Sequence, residues 1–185
     1  WVKPRSATGS WYCYFKEIGA THYLRLNSAD AKVDNVIWGD THPTSTLLTI
    51  DTDSVAGGTP TMAVYCFKQI KGYSKFGSYT GNGNADGAFV YTGFRPAFVL
   101  VKRTDTTGNW HLVDNKRNGF NVDNDVLLAD TNDAEFDVTQ YDILSNGFKL
   151  RSTANSNNAS SGTYIYMAFA EHPFVSSKGV PVTAR

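Results

Sequence analysis

Two segments of the chain share one pattern, and this pattern decides the fold: Trp1-Val-Lys-Pro-Arg-Ser-Ala-Thr-Gly-Ser-Trp11 and Leu100-Val-Lys-Arg-Thr-Asp-Thr-Thr-Gly-Asn-Trp110. Five positions of the first segment recur in the second at a constant separation of 99 residues. Each segment consists of an apolar run of strand length, a polar turn through Thr-Gly, and a second run that begins at the tryptophan. Two runs joined by such a turn are typical of a β-hairpin. The sequence therefore predicts one hairpin that occurs twice.

The similarity continues along both halves of the chain. Leu24, Asp30 and Ala31 recur as Leu127, Asp133 and Ala134, and Gly58-Thr59 and Phe67 recur as Gly162-Thr163 and Phe169. Matched blocks in the same order indicate a tandem repeat of units of roughly 100 residues. The expected boundaries are 1–78 for the first unit and 79–185 for the second, which ends in a C-terminal tail. The stretch that opens the second unit at Tyr79 has no match in the first, so we expect about twenty residues of the first unit to precede Trp1.

Strand patterns dominate both units. The segment from Thr163 to Phe169 alternates with period two, which predicts that Tyr164 and Tyr166 face one side and Ile165 and Met167 the other. Helical patterns are confined to short stretches such as Ser28–Lys32. Short strands with turn residues between them are typical of β-sandwiches and small barrels. We therefore predict an all-β protein made of two β-sandwich-like units, the first of them truncated at its N-terminus.

Composition excludes several classes of protein. The 185 residues include 17 Lys and Arg against 17 Asp and Glu, so the formal net charge is zero. This balance argues against a protein that binds nucleic acid through its phosphates. The apolar runs are much shorter than the roughly 20 residues that a membrane-spanning helix needs, so we expect no membrane insertion.

The two cysteines, Cys13 and Cys66, align with apolar positions of the second unit, Leu112 and Ala168. A reduced cysteine behaves as a small apolar side chain. We therefore predict that both cysteines are buried and unpaired.

No motif of an enzyme is present in the sequence. It has no Gly-x-Ser-x-Gly elbow and no phosphate-binding glycine loop, and its four histidines are not at zinc-ligand spacing. His111 stands where the first unit has Tyr12, which predicts a structural side chain at the surface. A pair of carboxylates for glycoside hydrolysis would have to come from solvated Asp-rich turns. We predict a protein that is not an enzyme and that has no cofactor.

An acidic stretch offers oxygen ligands of the kind that calcium prefers. Its carboxylates belong to Asp123, Asp125, Asp130 and Asp133. The stretch lacks the Asp-x-Asp-x-Asp-Gly loop of a calcium-binding hand, so these residues are weak candidates.

Aromatic side chains are the remaining candidates for a binding site. Trp, Tyr, Asn and Asp together can bind sugars by ring stacking and hydrogen bonding. Trp11 and Trp110 occupy equivalent positions and are predicted to be core residues. Trp38 has no repeat counterpart and is the stronger surface candidate, and Tyr14 and Tyr91 complete the candidate set.

Several motifs resemble a repeat at the C-terminus of tailed-phage virion proteins, often described as tail fibres and frequent in phages of aquatic bacteria. The motifs are Tyr79-Thr-Gly-Asn-Gly83, Gly93-Phe-Arg-Pro-Ala-Phe-Val-Leu-Val-Lys-Arg-Thr-Asp105, Leu144-Ser-Asn-Gly-Phe-Lys-Leu-Arg151, Asn158-Ala-Ser-Ser-Gly-Thr-Tyr-Ile-Tyr-Met-Ala-Phe-Ala-Glu171 and Pro181-Val-Thr-Ala-Arg185. The resemblance covers essentially the whole chain. The first unit departs from the motif at Gly58-Thr-Pro-Thr-Met62, where Pro60 breaks the Gly-Thr-Tyr pattern. The resemblance implies that Arg185 is the natural C-terminus.

The resemblance implies a virion protein that is assembled in the host cytoplasm and that contacts other virion proteins. Its expected role is multivalent adhesion to a host-surface glycan or receptor. The neutral, aromatic-rich composition adds the expectation of a homo-oligomer, most simply a trimer around a fibre axis. Two alternatives stay open: a purely structural capsid decoration or fibre spacer, and, with less support, a polysaccharide depolymerase.

Overall fold

The computed structural model describes residues 1–117, 121 and 123–173, with only the backbone described at 123 and 124. Strands account for 37% of the structure and helices for 7%, which confirms the all-β class. Five strands precede residue 70: β1 (Val2–Pro4), β2 (Tyr12–Cys13), β3 (His22–Arg25), β4 (Val33–Asp34) and β5 (Met62–Val64). The helical elements are the helix α1 (Thr52–Ala56) and two 3₁₀ turns, Lys16–Ile18 and Val36–Trp38.

Eight further strands follow: β6 (Ser74–Thr80), β7 (Phe89–Tyr91), β8 (Pro96–Arg103), β9 (His111–Asp114), β10 (Asp123–Leu128), β11 (Phe136–Leu144), β12 (Gly147–Leu150) and β13 (Thr163–Ala170). The first five strands form a small sheet in the order β4-β3-β2-β1-β5. The later strands form a large sheet in the order β6-β13-β8-β9-β10-β11-β12-β7. The large sheet is barrel-like, and its two end strands are joined where the Lys75 Nζ donates to the Tyr91 carbonyl oxygen at 3.1 Å.

Strand order and register agree between the two sheets. The order β5-β1-β2-β3-β4 corresponds to β13-β8-β9-β10-β11, and all of these neighbours are antiparallel. The opposed residues at the centre of each sheet are Val2 with Tyr12 and Val64, and Val101 with His111 and Tyr166. Both predicted tryptophan-containing hairpins are therefore present as paired strands.

The alternation predicted in β13 is confirmed. Tyr164 and Tyr166 lie in a core cluster enclosed by the large sheet, together with Val99 and Phe148. Ile165, from the opposite face of the strand, lies in a separate cluster. Alternate side chains of β13 thus lie in two different cores, as expected for a strand that is covered on both faces.

The second core joins the two sheets. It combines Cys13 and Leu24 from the small sheet with Leu100, Trp110 and Ile165 from the large one. Because these residues come from both sheets, burial of their apolar surface stabilises the packing of one sheet on the other.

A third cluster fills the other face of the small sheet, where Val2, Tyr23, Ile37 and Trp38 pack with Val55 of α1. Trp38 is only 1% exposed, so the predicted surface ring at this position is wrong. The 3₁₀ turn Val36–Trp38 directs its indole inwards, where Nε1 donates to the His22 carbonyl oxygen at 2.9 Å.

Two predictions about polar and sulfur-containing residues also need correction. Both cysteines are unpaired, as predicted, and Cys13 is buried, but Cys66 is exposed. His111 is only 4% exposed, so its predicted surface position is wrong. It faces the core of the large sheet, and its Nδ1 lies 3.3 Å from the Tyr141 hydroxyl.

The two equivalent tryptophans differ in burial. Trp110 is fully buried, as predicted, whereas Trp11 is half-buried with its ring against the exposed Tyr65. Across the described ranges, no helix is both long and apolar enough to cross a membrane.

Candidate functional site

The outer face of β7 presents two aromatic rings to solvent. Phe89 is 48% exposed and Tyr91 is 58% exposed, while Val90 between them is 6% exposed and belongs to the core. Alternation along a strand places residues i and i+2 on one face, about 7 Å apart. The anchored Val90 therefore holds both rings outward on a regular strand.

The neighbouring strand β12 keeps this face flat. Tyr91 lies opposite Gly147, and Phe89 lies opposite Lys149. A Cβ atom on Gly147 would stand 2.1 Å from the Val90 carbonyl oxygen and 3.0 Å from the Phe89 ring. Only glycine permits this approach of β12 to β7, and the Phe89 ring lies over the backbone of Gly147.

Charged groups surround the two rings. The Lys75 Nζ lies 5.2 Å from the centre of the Tyr91 ring, a cation–π distance. On the other side, Lys149 forms an ion pair with the exposed Asp86. The hydrogen bond from Lys149 is the main cause that lowers the pKa of the Asp86 carboxyl, so this carboxylate is an acceptor at neutral pH.

We define the β7 platform as Phe89, Tyr91, Lys75, Lys149 and Asp86. Exposed rings can stack against the C–H faces of a sugar, while ammonium and carboxylate groups bind its hydroxyls. Of these residues, Tyr91 alone was a candidate by residue type, although the alternation in Phe89-Val-Tyr91 was also a signal for Phe89.

A polar cleft of about 360 Å³ lies where the 3₁₀ turn Lys16–Ile18 faces the β6–β13 end of the large sheet. Its polar lining consists of hydroxyls with one side chain of each charge: Glu17, Lys32, Ser78, Thr80, Thr104 and Thr163. This volume is within the range of small-ligand pockets.

The other two aromatic candidates lie apart from the β7 platform. Tyr14 is half-buried beside the small-sheet core, where its ring packs edge-on to Trp38 at 5.7 Å. Its hydroxyl lies 2.6 Å from the His42 Nδ1. Trp38 and Tyr14 thus pack against each other at the small-sheet core, whereas Tyr91 lies on β7 of the large sheet.

The calcium candidates occupy separate environments. The Asp130 carboxylate accepts hydrogen bonds from the Trp110 backbone N–H at 2.9 Å and from Asn109 at 3.0 Å. Asp125 lies opposite Asp137 on β11, and Asp133 is an exposed residue. The side chain of Asp123 lies outside the described residues. Among side chains that the structure describes, no group of three or more His, Cys, Asp or Glu could hold a metal ion.

The fold and its exposed features define a two-sheet, all-β protein with an aromatic strand face and a polar cleft. A family model described as a domain of unknown function, DUF7483, matches residues 1–173. The chain therefore belongs to the DUF7483 family. No curated protein and no solved structure gives a significant match.

Proposed function

We propose that this chain is an adhesion module of a phage virion appendage, of the tail-fibre type, and that it binds host-surface glycan without chemical turnover. The resemblance of its motifs to tail-fibre repeats supports the virion assignment. The exposed rings of Phe89 and Tyr91, flanked by charged groups, support glycan binding and carry the proposal. On this proposal the module contacts other virion proteins and acts on the assembled particle.

The proposal includes a tandem repeat with units at 1–78 and 79–185, except that the whole of β6 (Ser74–Thr80) is assigned to the second unit because it pairs with β13 along its length. Its support is the agreement in strand order and register between the two sheets. Equivalent hydrogen bonds add to it: the Trp11 N–H donates to the Asn27 side chain, and the Trp110 N–H donates to the Asp130 side chain, each at 2.9 Å. The chance that unrelated sheets share both register and side-chain caps is small.

The polar cleft favours binding over hydrolysis. Glycoside hydrolysis uses two carboxylates about 5–10 Å apart across the scissile bond. Among the described residues that line the cleft, Glu17 is the one carboxylate, and the other polar side chains are a lysine and hydroxyls. Hydroxyls and a single charge pair suit hydrogen bonding to a sugar rather than acid–base chemistry.

Weak sites become effective when several are presented together. A shallow platform such as β7 offers few contacts, so a single copy binds weakly. Linking copies raises the overall affinity by about 10²–10⁴-fold if the geometry allows simultaneous contact. We propose a trimer for this reason. Exposed apolar residues, which include Tyr65, Phe67 and Tyr73, support association with further chains.

The test is binding to an array of bacterial surface polysaccharides with the biotinylated chain presented on streptavidin, which fixes the valency. The Tyr91→Ala variant is expected to lose at least tenfold in apparent affinity for any polysaccharide that the wild type binds. Tyr65→Ala is the matched control, since Tyr65 is also exposed but lies on the small sheet. Equal binding by Tyr91→Ala and wild type would remove the platform from the proposal, and no binding to any polysaccharide would overturn adhesion.

A further inference from the structure

The outer edge of β5 has no strand partner in the described part of the chain. The strand β5 pairs with β1 and ends the small sheet. Its counterpart in the large sheet, β13, pairs on one side with β8 and on the other with β6 over seven residue pairs. The strand order of the two sheets therefore agrees from β5 to β4, but the sheets differ at the outer edge of β5, where the small sheet lacks a counterpart of β6 in the described part of the chain.

Backbone groups of β5 point towards this open edge. Trp1 and Tyr65 exchange hydrogen bonds, with the Tyr65 N–H donating at 2.8 Å and the Trp1 amine at 2.9 Å. In an antiparallel ladder the groups of alternate residues point to opposite edges. The N–H and C=O of Met62 and Val64 are thus directed away from β1.

Apolar side chains at this edge are exposed where their counterparts are buried. Val64 is 42% exposed, whereas Tyr166 at the equivalent position is 3% exposed. Cys66 is exposed, whereas Ala168 at its equivalent position is fully buried. An open strand edge next to uncovered apolar side chains is a site for β-strand addition.

We propose that the outer edge of β5 accepts one further antiparallel strand of the β6 type, the first unit's counterpart of Ser74–Thr80. This inference rests on the repeat in the proposed function. The register follows from β13, so Val64 lies opposite the residue that corresponds to Gly77, and Cys66 lies opposite the one that corresponds to Lys75. The added strand covers Val64 and Cys66.

β5 and β13 differ in the side chain that they allow at one position of a partner strand. A Cβ atom on Gly77 would stand 2.9 Å from the Tyr166 ring, so β13 requires glycine at this position of its partner strand. Val64 replaces that tyrosine in β5 and leaves room for a side chain. A β6-type strand with valine in place of glycine therefore fits β5 but clashes with β13.

This difference supplies a selective probe. A peptide with the sequence of residues 73–81 and the change Gly77→Val is added to the full chain, and the reaction of Cys66 with a thiol reagent is timed. We expect at least a tenfold slower reaction at saturating peptide. Cys13 is an internal reference, because it is buried and stays unreactive until the protein unfolds.

Two controls test whether pairing is through the backbone. The same peptide with N-methyl groups at the positions of Lys75, Gly77 and Tyr79 cannot donate to β5 and should give no protection. In the protein, Val64→Pro removes an outward N–H but keeps the pairs with β1, since proline is tolerated on an edge strand. This variant should bind no peptide, and its thermal unfolding confirms that it folds.

Unchanged Cys66 reactivity in the presence of the unmethylated peptide would overturn the proposal. Protection that appears without peptide and grows with protein concentration would also overturn it, because two copies would then be pairing through their own β5 edges. Neither outcome bears on polysaccharide binding by Tyr91, so failure of this proposal and failure of the adhesion proposal are distinguishable.

Discussion

The indole N–H of Trp110 donates a hydrogen bond to the backbone carbonyl oxygen of Arg25, 2.8 Å away in the other sheet. Trp110 is fully buried between the sheets, where its ring also packs against Phe15 at 6.2 Å. Its equivalent, Trp11, is half-buried with its ring at 5.9 Å from Tyr65. Trp110 therefore links the two sheets, whereas Trp11, at the matching position of the sequence pattern, packs at a partly exposed site.

Trp110→Phe should lower the free energy of unfolding by about 1–3 kcal/mol. The change removes the indole donor from the Arg25 carbonyl, which keeps its longer hydrogen bond from the Ser28 N–H at 3.2 Å, and opens a small void in the core between the sheets. Trp11→Phe is the matched control and should cost less than about 1 kcal/mol, since its ring is partly solvated. Urea unfolding of the three proteins measures the difference, and equal losses for both variants would contradict the assigned roles.

The buried His111 should make the fold sensitive to mild acid. Burial lowers the pKa of His111 to about 4, from an ordinary value near 6.5. Between pH 6.5 and 4 the unfolded chain binds a proton at His111 that the folded chain does not bind, so the free energy of unfolding falls as the pH drops. The loss attributable to this group reaches about 3 kcal/mol at pH 4.

A His111→Phe variant provides the control for this prediction. It keeps an aromatic ring in the core but removes the titrating group, so its unfolding free energy should fall less steeply from pH 6.5 to 4. Urea unfolding at a series of pH values gives both slopes. Parallel slopes for the two proteins would show that His111 is not responsible.

Asn158 should be essential for stability, because its fully buried amide joins the β6–β7 loop to the β12–β13 loop. The Asn158 Nδ2 donates to Asn82 Oδ1, to the Asn84 carbonyl and to the Ser152 carbonyl at 2.7–3.0 Å. Its Oδ1 accepts from the Asn82 N–H at 3.0 Å. Asn158→Asp keeps the shape but turns a donor into an acceptor, so at least two carbonyl acceptors lose their partner.

We expect Asn158→Asp to cost about 3 kcal/mol or more in unfolding free energy. Asn132→Asp, at an exposed position, makes the same chemical change and should have little effect. Thermal unfolding of both variants measures the contrast. A small effect at Asn158 would mean that the loops hold together through their backbone hydrogen bonds alone.

Features that depend on local periodicity could be predicted from the sequence. The alternation in β13 predicted its two faces because side chains of a covered strand repeat with period two. Burial of Trp38 and His111 could not be predicted in this way. Trp38 lies in a 3₁₀ turn, whose direction is set by packing against α1, and the side of β9 on which His111 lies depends on how the large sheet curls.

Exposure at an edge depends on neighbours that the local pattern does not contain. Cys66 has an apolar counterpart in Ala168, and this predicted burial for both. The two positions differ because β13 has β6 beside it and β5 has no second partner strand among the described residues. For the candidate site, Tyr91 could be named by residue type, but Lys75 reaches it only because the large sheet curls until β6 meets β7.

Lys102 should give the fold a second pH dependence, in the alkaline range. Its ammonium group is fully buried and donates to the carbonyl oxygens of Ala29, Asp30 and Arg103 at 2.7–3.1 Å. Burial lowers the pKa of Lys102 to about 8 from 10.5, although nearby carboxylates, Asp130 foremost, act in the opposite direction. Between pH 8 and 10.5 the unfolded chain therefore binds more protons than the folded chain.

This imbalance means that the contribution of Lys102 to the free energy of unfolding increases with pH across that range, by about 3 kcal/mol at most. Cys13 acts in the opposite direction above pH 9, because burial raises its pKa to about 12. The informative quantity is therefore the difference between wild type and Lys102→Gln, which keeps donors at this place but does not titrate. That difference, measured by urea unfolding from pH 7 to 10, should shift in favour of the wild type as the pH rises.

A Lys3→Gln variant serves as control at the equivalent position of the first sheet, where the Lys3 Nζ donates to the Gly9 carbonyl oxygen at 2.7 Å. A difference that stays constant with pH would show that the buried Lys102 ammonium keeps its proton throughout, held by its three carbonyl acceptors.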